Sequence, residues 1–225
     1  MALSIVTNIA SLNAQRNLNS TQEGLSQNVA RLSSGLRINQ ASDDAAGMGI
    51  SENLRADIRS LGQASRNAGD GVSMAQLAEG ALNEMNGIVT RMRELAVQSS
   101  SGTLDTTSRS YIDTEFKQLR SEIDRISSVT EFNGTTLLSG GLAAGIQFQV
   151  GMNSSANDRI SMSVARAHSS TLGTSANKIT SASLSTATNA QIALAIFDGA
   201  IASLSSSRAD IGAIQNRLGI TLSNL

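Results

Sequence analysis

The side chains that could carry out catalysis or bind a metal are few and stand far apart in this sequence. Metal coordination or a nucleophilic dyad would need a partner for the single histidine, His168, but the chain has no cysteine and no second histidine. We therefore expect His168 to be a solvated surface residue. Asp43 and Asp44 are adjacent carboxylates, and capping of the following helix explains them more simply than acid–base catalysis, which depends on burial and geometry. The sequence predicts no catalytic residue, no metal site and no cofactor.

A charged cluster in the segment RMRELAVQ, residues 91–98, offers a different kind of chemistry. Arg91 and Glu94 are three residues apart and can pair on a helix, whereas Met92 and Leu95 fall on another face. The segment is therefore either a solvated, salt-bridged face above a core stripe or a surface that contacts another protein. Both interpretations need a long helix to carry these residues.

The composition favours long helices around a thin core. Aromatic residues make up 2% of the chain, and proline is absent from all 225 residues. Aromatic side chains supply much of the bulk of compact cores, and a chain without proline can form uninterrupted helices. The abundant small and aliphatic side chains suit close helix-to-helix seams. We expect an elongated protein.

Charge and hydropathy argue against two classes of partner. The formal net charge is −1, from 17 basic and 18 acidic residues with no long block of one sign, so no nucleic-acid surface is predicted. Apolar runs are a few residues long, well below the ~20 residues of a membrane span, and the N-terminus does not resemble a cleaved secretion signal. We expect no nucleic-acid partner and no membrane contact.

The first helix is predicted between Ile5 and Leu36. Its apolar stripe consists of Ile5, Ile9, Leu12, Leu25, Val29, Leu32 and Leu36. Gly24 and the polar residues before it make this helix marginal by itself, so it needs partner helices and should be disordered in the free monomer. The next segment, residues 33–49, contains three glycines with Ser, Asn and Asp, which predicts a bend.

Three further helices are predicted at residues 45–98, 106–128 and 190–225. The apolar residues at helical spacing that should form the core of a rod are Met85, Ile88, Met92, Ile112, Phe116, Leu119, Ile123, Phe197, Ile201, Leu204, Ile211 and Leu218. Between residues 131 and 165 the period changes to two, around Ile146 and Ile160, which predicts a small β-element. Residues 167–188 are rich in Ser, Thr and Ala and should form an exposed connection.

Together these elements predict a mainly α fold with coiled-coil-like helix seams and a small β-hairpin. An apolar stripe without a partner near a chain end is typical of a subunit that assembles with copies of itself. The sequence therefore favours a structural role over catalysis.

Several segments resemble bacterial flagellin, the subunit of the flagellar filament, and follow one another in the same order. They are NIASLNAQRNLN, the bend SSGLRINQASDDAAGMGI, the helix LNEMNGIVTRMRELAVQSSSGT, then EIDRISSVTEFNGTTLL and, at residues 211–218, IGAIQNRL. The resemblance implies a long antiparallel helical hairpin or coiled-coil rod. Within it, residues 1–38 would form an inner-core helix and residues 39–225 a rod domain. It also implies that the variable outer domains of larger flagellins are missing, as is the C-terminal inner-core helix expected after Leu225.

The resemblance further implies a set of partners. Copies of the chain would form a helical homopolymer outside the cell and meet cap and junction proteins there, after unfolded export by the flagellar type III apparatus with an export chaperone. The flagellin-sensing Toll-like receptor would contact the surface that subunits bury in the filament. That surface comprises Arg91, Arg93, Glu94, Leu95 and Glu115. Thr90 stands where a Gln is often found.

Three other functions are alternatives to a filament subunit. A hook-filament junction protein would share the flagellin-like ends but adapt rather than polymerise. A coiled-coil signalling module would also be rich in Ala and Ser, but the strands predicted around Ile146 and Ile160 argue against it. An enzyme is the weakest alternative, because the sequence contains no nucleophilic or His-rich site.

Overall fold

The computed structural model of the protein describes residues 8–225. Within that range the chain forms four α-helices: α1 (Ile9–Ser34), α2 (Ala45–Ser100), α3 (Thr106–Val129) and α4 (Ala187–Asn224). Two antiparallel strand pairs lie between α3 and α4: β1 (Glu131–Phe132) with β2 (Thr135–Thr136), and β3 (Ile146–Gln149) with β4 (Arg159–Met162). The predicted mainly α fold with a small β-element is confirmed. Ile5, the first residue of the predicted stripe, lies outside the described residues.

The chain divides into two compact units, Met1–Arg59 and Ser60–Leu225, and the division falls within α2. The two units differ in burial. No side chain between residues 8 and 59 is buried, whereas Ser60–Leu225 contains a large hydrophobic core and a smaller apolar cluster. The domain boundary after residue 38, which the family resemblance implies, stays a prediction.

Helix α1 has a defined beginning and end. The side chain of Asn8 accepts a hydrogen bond from the backbone N–H of Ser11, which caps the first turn. Gly35 ends the helix with φ 70°, a left-handed conformation that glycine adopts without a steric penalty. The prediction that the helix continues to Leu36 is wrong, because Gly35 turns the backbone one residue earlier.

In the unit Ser60–Leu225, α2 and α4 run antiparallel. Gly71 lies against Leu218, and further along α2 Arg93 pairs with Asp198. The later residue of α2 therefore contacts the earlier residue of α4, as in an antiparallel pair. This is the helical hairpin that the family resemblance implies.

The hairpin is thin because small residues line its seam. The small buried residues of α2 follow one another at intervals of four and three: Ala64, Ala68, Gly71, Ala75 and Ala78. Such residues let helix backbones approach closely. Larger side chains fill the middle of the unit, where the rings of Phe116 and Phe197 lie 5.8 Å apart between centroids. The low aromatic content is therefore sufficient for this core.

The β-elements are two separate hairpins. Asn133 (φ 50°) and Gly134 (φ 76°) form the two-residue turn between β1 and β2, and both angles are those of a type I′ turn. In the second hairpin Ile146 pairs with Met162 and Phe148 pairs with Ile160. The alternating apolar residues of this second hairpin face the helices, which confirms the predicted change of period.

The segment 167–188 is not the exposed connection that its composition predicts. Its buried residues are Ala167, Ser169, Leu172, Ile179, Ala182 and Leu184. The segment follows an irregular path that includes a short 3-10 turn at Ile179–Ser181, so its apolar residues reach the core without a helical or strand period. An absent period therefore does not indicate exposure here.

One helix in the described part of the chain, α4, is long and apolar enough to cross a membrane by those two criteria alone. Buried core helices satisfy the same criteria. The buried residues of α4 pack on α2, α3 and the second hairpin, as Phe197 and Leu218 show. We interpret α4 as a core helix of the rod.

Candidate assembly and contact surfaces

The apolar stripe of α1 lies in solvent. The six predicted stripe residues that the structure describes are 44% to 86% exposed: Ile9, Leu12, Leu25, Val29, Leu32 and Leu36. Leu18, which the sequence reasoning missed, lies seven residues before Leu25 on the same helix face and is 66% exposed. A monomer rarely leaves so many large apolar side chains in water along one helix. The stripe is therefore a candidate contact surface.

The bend after α1 is held by one carboxylate. Asp43 accepts hydrogen bonds from the backbone N–H groups of Asn39 and Gln40, at 3.1 Å each, and pairs with Arg31 of α1 at 3.2 Å. The two backbone N–H donors, followed by Arg31, lower the pKa of Asp43. Asp44, not Asp43, serves the start of α2, where it accepts the N–H of Gly47 at 2.8 Å. The two adjacent acids thus have separate structural roles.

The charged residues of the RMRELAVQ segment form ion pairs on the surface. Arg91 bonds to Glu94 and to Glu115 of α3, at 3.0 Å each, and these two acids raise its pKa. Arg93 bonds to Asp198 of α4 at 2.6 Å. All of these side chains are at least 46% exposed, so the pairs orient the charges more than they stabilise the fold.

Leu95 does not belong to that surface. Its exposure is 1%, and it packs in the core of the unit Ser60–Leu225. The prediction that it contacts a receptor or a neighbouring subunit is wrong, because a helix that carries charge on one side places every third or fourth residue inside. Asp198, which lies on a distant helix, is the member of the surface that sequence spacing could not find.

The predicted rod-core residues are distributed between two degrees of burial. Nine are buried: Met85, Met92, Ile112, Phe116, Ile123, Phe197, Leu204, Ile211 and Leu218. Ile88, Leu119 and Ile201 are partly buried and pack against the same core. The residues lie on α2, α3 and α4, so the core joins all three helices.

Buried polar residues of the helices hold the connecting segment, and the sequence reasoning missed them. The hydroxyl of Ser99 donates to the carbonyl of Leu184 at 2.6 Å, and Asp113 accepts the N–H of the same residue at 2.8 Å. Burial raises the pKa of Asp113, but hydrogen bonds from Lys117 and the Leu184 N–H outweigh it, so the pKa is lowered overall. A polar residue at an otherwise apolar helical position is the signal that could have identified Ser99 and Asp113.

His168 is part of a second polar attachment rather than a solvated residue. Asp124 accepts both the N–H and the hydroxyl of Ser169, at 2.8 Å each, and its carboxylate lies 3.2 Å from Nδ1 of His168. The His168 side chain is 27% exposed. Among residues 8–225, no three His, Asp or Glu side chains converge as metal ligands. The arrangement attaches the connection to α3 and suggests no catalytic geometry.

The helical fold and its exposed apolar stripe are typical of one class of protein, helical subunits that assemble with other chains. The chain belongs to the bacterial flagellin family: the family model of the bacterial flagellin N-terminal helical region matches residues 5–143. The chain is 43% identical over 218 residues to a flagellin of Halalkalibacterium halodurans, covering 97% of this chain and 78% of the relative. It is 39% identical to the flagellar filament 30.7 kDa core protein of Treponema maltophilum, covering 97% and 81%.

Solved structures agree with this assignment. Bacillus cereus flagellin superposes with a TM-score of 0.60 at 30% identity, over 72% of this chain and 89% of that one. A putative flagellar hook-associated protein of Vibrio parahaemolyticus shares the fold, with a TM-score of 0.68 at 16% identity. The relatives favour a structural subunit of the flagellar filament over a junction protein or a signalling module.

Proposed function

We propose that the chain polymerises into the flagellar filament through the exposed stripe of α1. The observation that carries this proposal is that α1 has no buried residue although six large apolar side chains lie along it. Burial of one Leu or Ile contributes about 1.5–3 kcal/mol, so partner helices can order a helix that is marginal by itself. Folding of α1 and assembly of the filament are then coupled.

The test compares two single substitutions on opposite faces of α1. Leu25→Asn removes an exposed apolar side chain from the stripe, whereas Gln27→Asn changes a polar residue about half a turn away. We expect Leu25→Asn to raise the critical concentration for seeded polymerisation about 10- to 100-fold, since 1.4 kcal/mol corresponds to a factor of ten. Sedimentation and electron microscopy of the polymer provide the measurement. Equal critical concentrations for Leu25→Asn and the wild type would refute the role of the stripe.

The remaining partners follow from membership of the family. The subunit is exported unfolded by the flagellar type III apparatus with an export chaperone, and outside the cell it adjoins cap and junction proteins. Its role is structural and not enzymatic. Secretion that continues after deletion of the flagellar export ATPase and gate would contradict this route.

A second role concerns the flagellin-sensing Toll-like receptor. The ion pairs of Arg91 and Arg93 orient five charged side chains of the surface, which reduces the entropy lost when a partner binds. We expect Arg91→Ala to weaken binding of the monomer to the receptor ectodomain, whereas Arg55→Ala, which removes another exposed i,i+3 pair, should not. An equal loss of receptor affinity in both variants would indicate a nonspecific charge effect and would contradict the proposed receptor surface.

A further inference from the structure

A groove at the β3–β4 end of the unit Ser60–Leu225 is open and partly apolar. It encloses about 480 Å³ between α2, α4 and the loop that joins β3 to β4. Leu61, Met152 and Ile220 contribute to its lining, and the last two are 48% and 68% exposed. Exposed apolar side chains around a concave surface mark a contact site more often than isolated ones do.

The groove lining also contains a cation that has no ion-pair partner among the described residues. Arg159 is held by the side chain of Gln149 at 3.1 Å, and Asp158 accepts the hydroxyl of Ser155. The guanidinium of Arg217 is exposed and, within residues 8–225, makes neither an ion pair nor a hydrogen bond. A ligand suited to this end of the groove therefore carries an acid.

The spacing in the groove defines the ligand further. Arg217 and Ile220 are three residues apart on α4, so their Cβ atoms lie about 5–6 Å from each other. A complementary segment places an apolar side chain and a carboxylate at a similar separation. Both the apolar side chain and the carboxylate of that segment must be exposed in the free chain, where they can reach the groove.

The end of α3 has this pattern. Val129 is 58% exposed, and Glu131 is exposed without a cationic partner in the described part of the chain. Thr130 between them has an extended backbone (φ −71°, ψ 103°), which separates its two neighbours by about 6–7 Å. Leu77 of α2, 44% exposed, continues the apolar patch beside Val129.

We propose that the segment Val129–Glu131 of one copy docks in the groove of a second copy, with Glu131 paired to Arg217 and Val129 against Ile220. The two surfaces cannot meet within one chain, because Leu77 and Leu61 mark positions about 24 Å apart along α2. A contact between two different surfaces can repeat from copy to copy without closing into a ring, as a filament requires. The inference rests on the proposed function and specifies one of its contacts.

A charge exchange tests the pairing. Arg217→Glu and Glu131→Arg should each raise the critical concentration for seeded polymerisation about 10-fold or more, because each places like charges together. The double variant should return to within about 3-fold of the wild type, since the pair is restored in reverse. Asp57→Arg, which alters another acid beside an exposed apolar residue, is the matched control and should not rescue Arg217→Glu. Circular dichroism of each monomer establishes that it is folded.

A second measurement is disulfide cross-linking of introduced cysteines. The chain has no cysteine of its own, so any disulfide joins the introduced residues. A mixture of Glu131→Cys and Arg217→Cys chains, polymerised and treated with a mild copper oxidant, should yield mixed disulfide dimers, and Asp57→Cys should not replace Glu131→Cys. Polymerisation of Arg217→Glu at the wild-type critical concentration, or rescue by Asp57→Arg, would overturn the contact and leave the filament role intact. Failure of the wild type to polymerise would overturn both.

Discussion

The close approach of α2, β3 and α4 at Gly71 can be tested by filling it. A Cβ atom at this position would lie 3.1 Å from Cδ1 of Leu218 and 3.3 Å from the ring of Phe148, tighter than ordinary van der Waals contact. Gly71→Val adds that atom and two methyl groups in a site that is already buried. The helices and the hairpin must then separate, or the side chains must leave their preferred rotamers.

The size of the effect follows from two opposing contributions. Overpacking of a buried site costs about 1–3 kcal/mol, whereas replacing Gly by Val in a helix gains a few tenths of a kcal/mol. Gly69 lies two residues earlier on the same helix, and no heavy atom lies within 4 Å of a Cβ placed there. Gly69→Val therefore has the same gain in helix propensity without the clash. We expect it to be as stable as the wild type or slightly more stable.

Urea unfolding followed by circular dichroism measures both variants. The free energy of unfolding of Gly71→Val should fall below that of Gly69→Val by about 1–3 kcal/mol, with a melting temperature lower by about 2–4 °C per kcal/mol. The difference between the variants isolates the contact, because both carry the same residue in the same helix. If the two variants unfold at the same urea concentration, the seam is wider at Gly71 than the packing of Leu218 and Phe148 indicates.

Two carboxylates lead to further predictions. The lowered pKa of Asp113 means that its ionised form stabilises the fold fully above the ordinary pKa of 3.8, and that this contribution is lost as the pH falls below 3.8 through the lower pKa of the folded state. The stability difference between the wild type and Asp113→Asn should therefore narrow on acidification in pH-dependent urea unfolding, and a constant difference would contradict the assignment. Asp43→Ala should accelerate amide hydrogen exchange at Asn39 and Gln40, which lose their acceptor, whereas Asp44→Ala should leave these two amides unchanged.

The helices of this protein were predictable because they are long and periodic. The three-to-four spacing gave α2, α3 and α4 to within three residues at each end, and alternation around Ile146 and Ile160 gave the second hairpin. The end of α1 was less predictable, because one glycine in a left-handed conformation stops the helix before Leu36.

The connection and the contact surface were less predictable for two different reasons. Leu172 and Leu184 are buried by irregular backbone that Ser99 and Asp113 hold through hydrogen bonds, and such attachments have no sequence period. The charged motif around Leu95 predicts a surface position for it, whereas its helical phase places the side chain in the core. Tertiary hydrogen bonds and helical phase, rather than residue polarity, decide burial at these sites.

The different burial of the two units separates the stability of the monomer from its assembly. The apolar side chains of Ser60–Leu225 pack within one chain, so their removal, as in Phe116→Ala, should cost the monomer about 3–5 kcal/mol of unfolding free energy. The apolar side chains of α1 have no partner within the described chain, so Leu25→Asn should leave the unfolding of the monomer almost unchanged and act on the critical concentration. Measuring both quantities on both variants decides the matter: a large fall in monomer stability with Leu25→Asn would mean that α1 already has an intramolecular partner.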